Sequence, residues 1–177
     1  TEAAYRLLQT ETYPSWLYPV NQGATTIWER LNGYTVENGF GGNNSMNSFN
    51  HYSFGAVGRW MIAYSLGIQR DEPGFHHFIL QPEQDPSGQM THAEGYYDSP
   101  YGRIESAWSV SDGVLTYTAT VPANTTAQLY LPAQSAKSVT EGGTSALRVS
   151  GVKFLRFENG KAVYQLQSGH YSFRTTL

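Results

Sequence analysis

Before residue 70, apolar side chains recur at steps of three and four residues, which is the spacing of one face of an α-helix. The longest run predicts a helix over residues 48–66, with Asn47 or Ser48 as its N-cap and Gly67 as its C-terminal stop. The apolar positions of this run are Phe49, Tyr52, Ala56, Val57, Trp60, Met61 and Tyr64.

Two shorter helices are predicted before this one. Residues 1–10 carry apolar side chains at helical spacing without an N-terminal cap, so we expect them to be the last turns of a longer helix. A loop with two prolines follows, and Thr25 or Thr26 is then expected to cap a short helix that ends near residue 31.

After Pro73 the period changes from helical to two, and turn residues become frequent. Residues 115–121 alternate strictly between apolar side chains and threonine, the pattern of a strand with one buried face. Residues 104–110 precede them across a Ser-Asp-Gly turn at 111–113, which predicts a hairpin. Further strands are predicted at 75–80, 89–96, 126–131, 152–157, 162–167 and 170–174.

These strands, with two more hairpin turns predicted at 158–160 and 168–169, indicate an antiparallel β-sandwich over residues 72–177. Residues 1–71 form the helical part. They hold three of the four tryptophans in too few helices to enclose them, so we expect this part to belong to a larger helical assembly and the chain to be a fragment.

Composition excludes several classes of function. The net charge is −3 with no run of like charges, which argues against a nucleic-acid or membrane partner. No stretch approaches the roughly 18–20 apolar residues of a transmembrane helix, and localisation is left open. There is no cysteine, and the five histidines are scattered apart from the adjacent His76 and His77, so neither a metal nor another cofactor is expected.

Glu29 is the carboxylate in the helical part that lies within aromatic and β-branched sequence, between Trp28 and Arg30. A surface glutamate paired with a nearby cation is the alternative interpretation. His51 follows a glycine- and asparagine-rich loop at 39–48, which could form the rim of a site for a polyhydroxylated ligand or a plain connection. A structural histidine is the alternative at position 51, and wall packing is the alternative for Trp28.

Trp28-Glu29-Arg30 is followed, after 17 intervening residues, by Ser48-Phe49-Asn50-His51-Tyr52. This combination is the strongest match by which the chain resembles the bacterial α-L-rhamnosidases of glycoside hydrolase family 78. The resemblance also covers residues 13–20, 23–30 and 46–52 in the helical part, and 99–104, 121–127, 131–132 and 168–173 in the β part.

The resemblance implies that residues 1–71 are the last helices of an (α/α)6 catalytic barrel, followed by the C-terminal β-sandwich. It implies an inverting hydrolase that removes terminal α-L-rhamnose from a glycoside or polysaccharide. In that pattern Glu29 matches the general base, His51 lies at the rhamnose subsite and Trp28 could line the cleft. The general acid would come from the remainder of the barrel, upstream of Thr1, so the isolated chain is expected to be inactive.

Two other functions stay open on the sequence. Another (α/α)6-barrel glycosidase, such as an α-L-fucosidase, would keep the fold and the paired carboxyl groups while changing the sugar. A non-catalytic sugar-binding module would instead use the aromatic side chains of the β-sandwich as a platform for glycans.

Overall fold

The computed structural model describes residues 1–41 and 45–177. The chain folds as two compact units, a helical unit from Thr1 to Trp60 and a strand unit from Met61 to Leu177. The division into domains at 71/72 remains a prediction.

The helical unit contains short helices joined by long irregular segments. Helix α1 (Glu2–Gln9) confirms the first predicted helix. Helix α2 (Leu17–Asn21) lies in the predicted proline loop, where the Ser15 hydroxyl accepts a hydrogen bond from the Tyr18 amide at 3.1 Å. A 3₁₀ turn (Tyr52–Gly55) and helix α3 (Ala56–Trp60) follow.

The predicted helix over 48–66 begins later than its apolar pattern indicates. Helical structure starts at Tyr52, and residues 61–65 form a π-helical turn, so the predicted caps Asn47 and Ser48 are wrong. His51 is extended, with φ −107° and ψ 98°. Its amide donates to a distant carbonyl, that of Ile27, at 2.7 Å, and this pairing prevents a helix from starting earlier.

The predicted helix over residues 25–31 is absent from the described structure. The Thr26 hydroxyl donates to the Phe49 carbonyl instead of capping a helix. The Glu29 amide likewise donates to the Ser48 carbonyl, at 2.8 Å. Long-range pairing therefore satisfies the backbone groups that a local helix would have used.

The strand unit is a two-sheet β-sandwich, as predicted. One sheet has the strand order β1-β2-β6-β10-β9 and the other β3-β4-β5-β11-β7-β8. All strand pairs are antiparallel except β2 with β6, which is parallel. The strands are β1 Ile68–Arg70, β2 His77–Leu80, β3 His92–Ser99, β4 Gly102–Ser111, β5 Val114–Val121, β6 Thr126–Pro132, β7 Thr140–Glu141, β8 Thr144–Ser145, β9 Val152–Glu158, β10 Lys161–Leu166 and β11 Gly169–Thr176.

Every predicted strand is present with shifted ends, whereas β1, β7 and β8, each two or three residues long, were not predicted. The hairpins at Asp112-Gly113 and Asn159-Gly160 are confirmed, and each has two consecutive residues with positive φ. The hairpin predicted at 168–169 is wrong, because β10 and β11 belong to different sheets. Residues 167–168 instead connect β10 in the five-stranded sheet to β11 in the six-stranded sheet.

The core lies between the two sheets, where alternate side chains of each strand are buried. The Tyr164 ring on β10 and the Phe173 ring on β11 stack across the interior with centroids 6.1 Å apart. Burial of these side chains supplies the main favourable term in folding. Other fully buried side chains include Phe78, Leu80, Ile104, Leu115, Tyr117, Leu129, Leu131 and Leu166.

Two side chains of β4 donate hydrogen bonds to carbonyls at the end of the π-helical turn, within the strand unit. The Trp108 indole N–H donates to the Ser65 carbonyl at 2.8 Å, and the Ser106 hydroxyl donates to the Leu66 carbonyl at 2.6 Å. Ser106 also contacts the Tyr117 hydroxyl at 3.0 Å. These bonds satisfy carbonyls that a helix end leaves without partners. Gly67 follows with φ +76°, which confirms the predicted stop.

Candidate active site

Glu29 and His51 lie on two segments that hydrogen bonds join within the helical unit. Residues 26–29 pair with residues 48–51 through the amides of Glu29 and His51 and the hydroxyl of Thr26. The two candidate residues, 22 positions apart in sequence (51 minus 29), are therefore held by one local network. Such hydrogen bonds leave the backbones of both segments fewer conformations than an unpaired loop would have.

The Glu29 side chain adds a fourth bond to this pairing. Its Oε2 accepts the Ser48 amide at 2.8 Å, while the Ser48 carbonyl accepts the Glu29 amide. Glu29 is partly exposed, and within residues 1–41 and 45–177 it forms no salt bridge. The cation-paired surface glutamate considered above is thus not what the described residues show. A carboxylate oriented by a backbone amide and open to water on another side can accept a proton.

The His51 imidazole lies beside the pairing, partly exposed. Its Nε2 is 2.9 Å from the Ser53 hydroxyl, and its ring faces Tyr52 with centroids 6.4 Å apart. The Phe54 ring is 6.0 Å away. Tyr52 is 92% exposed, so this edge of the pair presents an imidazole and aromatic surface to solvent. Such a combination suits a ligand that has both hydroxyl groups and C–H surfaces.

Trp28 is buried in an aromatic cluster behind the pairing, composed of Trp28, Tyr34, Phe40 and Phe49. The Trp28 and Phe49 rings meet edge to face at 5.0 Å, and Phe40 lies 5.2 Å from Tyr34 and 5.5 Å from Phe49. Trp28 is only 7% exposed. Its ring supports the segment that carries Glu29, and a direct contact with sugar remains a prediction.

Gly33, which the sequence analysis did not name, and Asn47, which it named as a candidate helix cap, contact each other next to the pairing. The Asn47 side-chain amide donates to the Gly33 carbonyl at 2.9 Å. A Cβ at Gly33 would lie 2.2 Å from Asn47 Oδ1, so only glycine fits there without displacing Asn47. Asn47 and Ser48 were predicted as helix caps, because the side chains of both residue types form hydrogen bonds with backbone amides. Of the predicted rim at 39–48, residues 42–44 lie outside the described residues.

The described residues contain no cluster of three or more histidine, aspartate or glutamate side chains that could hold a metal ion. His76, which was placed in a strand, precedes β2 and lies 3.4 Å from Glu72. His77 contacts the Thr126 hydroxyl at 2.8 Å.

Within residues 1–41 and 45–177, no helix is long and apolar enough to cross a membrane.

Models of two protein families match the chain in succession. Residues 1–65 match the bacterial alpha-L-rhamnosidase 6 hairpin glycosidase domain, and residues 67–146 match the bacterial alpha-L-rhamnosidase C-terminal domain. The chain belongs to the bacterial α-L-rhamnosidase family. Membership accounts for a helical segment followed by a β-sandwich in one polypeptide.

Individual rhamnosidases agree with this assignment. The α-L-rhamnosidase of Streptomyces avermitilis is 38% identical over 98% of this chain, and that of Formosa agariphila is 37% identical over 96%. The chain spans 16% and 18% of these two relatives. The crystal structure of the Streptomyces avermitilis enzyme complexed with L-rhamnose matches 99% of this chain and 16% of its own, with a TM-score of 0.85 and 36% identity. The Dictyoglumus thermophilum enzyme matches 99% of this chain and 19% of its own, with a TM-score of 0.81 and 28% identity.

Proposed function

We propose that this chain supplies the general base of an inverting α-L-rhamnosidase of glycoside hydrolase family 78, which removes terminal α-L-rhamnose from glycosides or polysaccharides. The base is Glu29. The observation that carries the proposal is the hydrogen bond from the Ser48 amide to Glu29 Oε2. This bond orients a partly exposed carboxylate on a segment that is also joined to His51.

The chemistry requires two carboxyl groups on opposite sides of the glycosidic bond. In an inverting enzyme they lie about 6.5–9.5 Å apart, so that a water molecule fits between the base and the anomeric carbon. Glu29 removes one proton from this water as the C–O bond to the leaving group breaks. The second carboxyl group, the general acid, protonates the leaving oxygen. We assign this acid to the part of the barrel that this chain does not contain.

His51 and Trp28 have supporting roles in this proposal. The partly exposed imidazole of His51, next to Tyr52, can exchange hydrogen bonds with rhamnose hydroxyl groups. Trp28 lines the cleft from its wall, where it is buried, and supports the Glu29 segment through its contact with Phe49. The relative crystallised with L-rhamnose, at 36% identity, supports rhamnose as the sugar.

The test is Glu29→Gln in an enzyme that contains this chain together with the rest of the barrel. The amide keeps the shape and a hydrogen-bond acceptor but cannot take up the proton. We expect kcat for an aryl α-L-rhamnoside to fall by roughly 10²- to 10⁴-fold with little change in rhamnose affinity. Glu37→Gln, at an exposed position of the same unit, is the matched control.

Three further measurements complete this test. NMR of the first product formed should show the anomer opposite to that of the substrate. The 177-residue chain by itself should release no rhamnose, and aryl α-L-fucosides should be poor substrates for the complete enzyme. Unchanged turnover in Glu29→Gln would place the base elsewhere, and a preference for the fucoside would assign the alternative sugar.

A further inference from the structure

We propose that the strand unit carries a second site, a groove on the outer face of the six-stranded sheet that binds a neutral saccharide independently of Glu29. The groove crosses strands β3, β4, β5 and β11 and encloses about 540 Å³. Volumes of roughly 300–1,000 Å³ are typical of small-molecule sites.

One row of side chains crosses all four strands of this groove. The strand register places Tyr96 opposite Glu105, Glu105 opposite Thr120, and Thr120 opposite His170. Side chains at paired positions project from the same face of a sheet, and all four residues line the groove. The row therefore offers an aromatic ring, a carboxylate, a hydroxyl and an imidazole in sequence.

Hydrogen bonds within this row determine which of its groups donate and which accept. The Thr120 hydroxyl donates its proton to Glu105 Oε2 and lies 2.8 Å from His170 Nδ1. A hydroxyl has one proton to give, so Nδ1 of His170 must be the donor in the second bond. In the neutral imidazole Nε2 is then an acceptor. Oxygen and nitrogen acceptors thus outnumber donors along the row, which matches a ligand that donates from several hydroxyl groups.

The Tyr96 ring is held in place from one side. The Arg103 guanidinium carbon lies 3.7 Å from the ring centroid, and Asp98 binds Arg103 through two bonds, Nε to Oδ1 at 2.8 Å and Nη2 to Oδ2 at 3.1 Å. The bond from Arg103 also holds the pKa of Asp98 below its usual value, so this carboxylate stays charged. Arginine thus covers one face of a tyrosine that is 52% exposed and lines the groove. A preoriented ring suits the C–H face of a pyranose.

The next row gives the groove its depth. Glu94, Ala107 and Thr118 are paired across β3, β4 and β5. The small Ala107 side chain lies between a second carboxylate and a second threonine hydroxyl, so space opens at the centre. The lining includes no lysine or arginine. Arg103, beside the groove, is already bound to Asp98, so a neutral polyol matches the acceptors of the lining better than an anionic ligand does.

Backbone-amide NMR of the complete 177-residue chain tests the groove directly. L-rhamnose, D-galactose and D-glucose are titrated separately, with D-glucuronate as the anionic comparison. We expect at least one neutral sugar to shift the amides of β3, β4, β5 and β11, with a dissociation constant on the order of 1 mM for a ligand of this size. Glucuronate should bind more weakly than this sugar.

Substitutions separate the groove from the candidate active site. Tyr96→Ala and Glu105→Gln should each weaken binding by about tenfold, a typical effect for a residue central to a binding site. Tyr101→Ala, at an exposed tyrosine outside the groove lining, should leave binding unchanged, as should Glu29→Gln. Preserved amide dispersion, with Tyr96→Phe as a conservative variant, verifies that each variant folds.

The outcomes distinguish this proposal from the function assigned to Glu29. Amide shifts confined to residues 26–53, or no shifts with any neutral sugar, would contradict saccharide binding in the groove. Neither result would affect the role proposed for Glu29. Stronger binding of glucuronate than of every neutral sugar would also contradict the proposal that the groove binds a neutral saccharide. Loss of turnover in Glu29→Gln says nothing about the groove, because the two tests use different residues and different readouts.

Discussion

The helical unit and the strand unit differ in how they bury their apolar side chains. Among the described residues, Tyr5 and Trp28 are the buried hydrophobic side chains of the helical unit, whereas both sheets of the strand unit contribute to an extensive core. The helical unit also leaves Tyr52, Met46 and Phe40 largely exposed. Side chains that touch few neighbours contribute little to stability, so the strand unit should hold most of the stability of this chain.

The residues that stabilise the fold and the candidate catalytic residue therefore lie in different units. The strand unit satisfies its backbone in long ladders, while the candidate base lies where the helical unit has irregular pairing between residues 26–29 and 48–51. Functional groups commonly lie on loops that a more rigid framework positions. Substitutions in the two units should therefore affect different measurements, and the four that follow run from the largest expected effect to the smallest.

A core truncation in the strand unit should have the largest effect. Leu129→Ala removes a fully buried side chain from β6, and we expect it to lower the free energy of unfolding by about 2–5 kcal/mol. Leu7→Ala is the matched change in the helical unit, where the side chain is 46% exposed, and it should cost less than about 1 kcal/mol. Urea unfolding monitored by circular dichroism compares the two. Equal losses would show that stability is shared evenly.

A methyl group at Gly67 tests how tightly the strand unit packs its backbone. The added Cβ would lie 2.1 Å from the Gln81 carbonyl carbon, at a residue with φ +76°. We expect Gly67→Ala to cost roughly 2–4 kcal/mol from left-handed strain and overpacking together. Gly113→Ala shares the positive φ, +73°, but among the described residues no atom beyond its chain neighbours lies within 4 Å of the added Cβ. It should cost about 1–2 kcal/mol, and thermal unfolding of both variants measures the difference.

The corresponding change in the helical unit should alter turnover more than stability. Gly33→Ala pushes against the end of the Asn47 side chain, which can move, and Asn47 precedes the Ser48 amide that binds Glu29. We expect kcat of the complete enzyme to fall about 10- to 100-fold, because small misplacements of a catalytic group are costly. Gly55→Ala is the control, because no atom of the described residues beyond its chain neighbours lies within 4 Å of the added Cβ. A loss of stability without a loss of kcat would contradict the positioning role.

A buried tyrosine of the strand unit should produce the smallest effect, and only in alkali. Burial raises the pKa of Tyr117 well above its usual value. Above pH 10 the unfolded phenol ionises while the folded one stays protonated, so the folded state loses up to about 1.4 kcal/mol per pH unit. Tyr117→Phe should make this decline shallower, measured as the unfolding midpoint from pH 9 to 11.

Controls for this last prediction lie in the same unit. Burial also raises the pKa of Tyr164 to about 12, so part of the alkaline decline should persist in Tyr117→Phe. Tyr101→Phe removes an exposed phenol and should reproduce the slope of the unaltered chain. An identical slope in Tyr117→Phe would show that Tyr117 does not contribute.

Local sequence patterns predicted the strand unit better than the helical unit, for a physical reason. Alternation of buried and exposed side chains is a property of each strand, so β4 and β5 could be located from their own residues. Partner choice is not local. The 168–169 turn looks like a hairpin turn, yet β10 and β11 enter different sheets, because β11 pairs with the distant strands β5 and β7 while β10 pairs with β9 and β6.

In the helical unit, long-range bonds override local propensity. Thr26 and Ser48 are good helix caps by residue type, but each bonds the other segment about twenty residues away. Glu29 and His51 were candidates from their sequence context, and the family resemblance then implied the roles of Glu29, His51 and Trp28. The roles of Gly33 and Asn47 depend on a contact across 14 residues that no local spacing indicates.

The bonds from Trp108 and Ser106 to the carbonyls of residues 65 and 66 have a practical consequence for protein engineering. A chimera that joins this β-sandwich to the barrel of another enzyme should keep the native sequence from Met61 onward. A junction placed at residue 71 would replace the π-helical turn, and a substitute turn with a different backbone path would take these two carbonyl acceptors away from the buried indole N–H and hydroxyl. The crossover point of a working hybrid therefore depends on two hydrogen-bond donors that lie 43 and 40 residues beyond the carbonyls they bind.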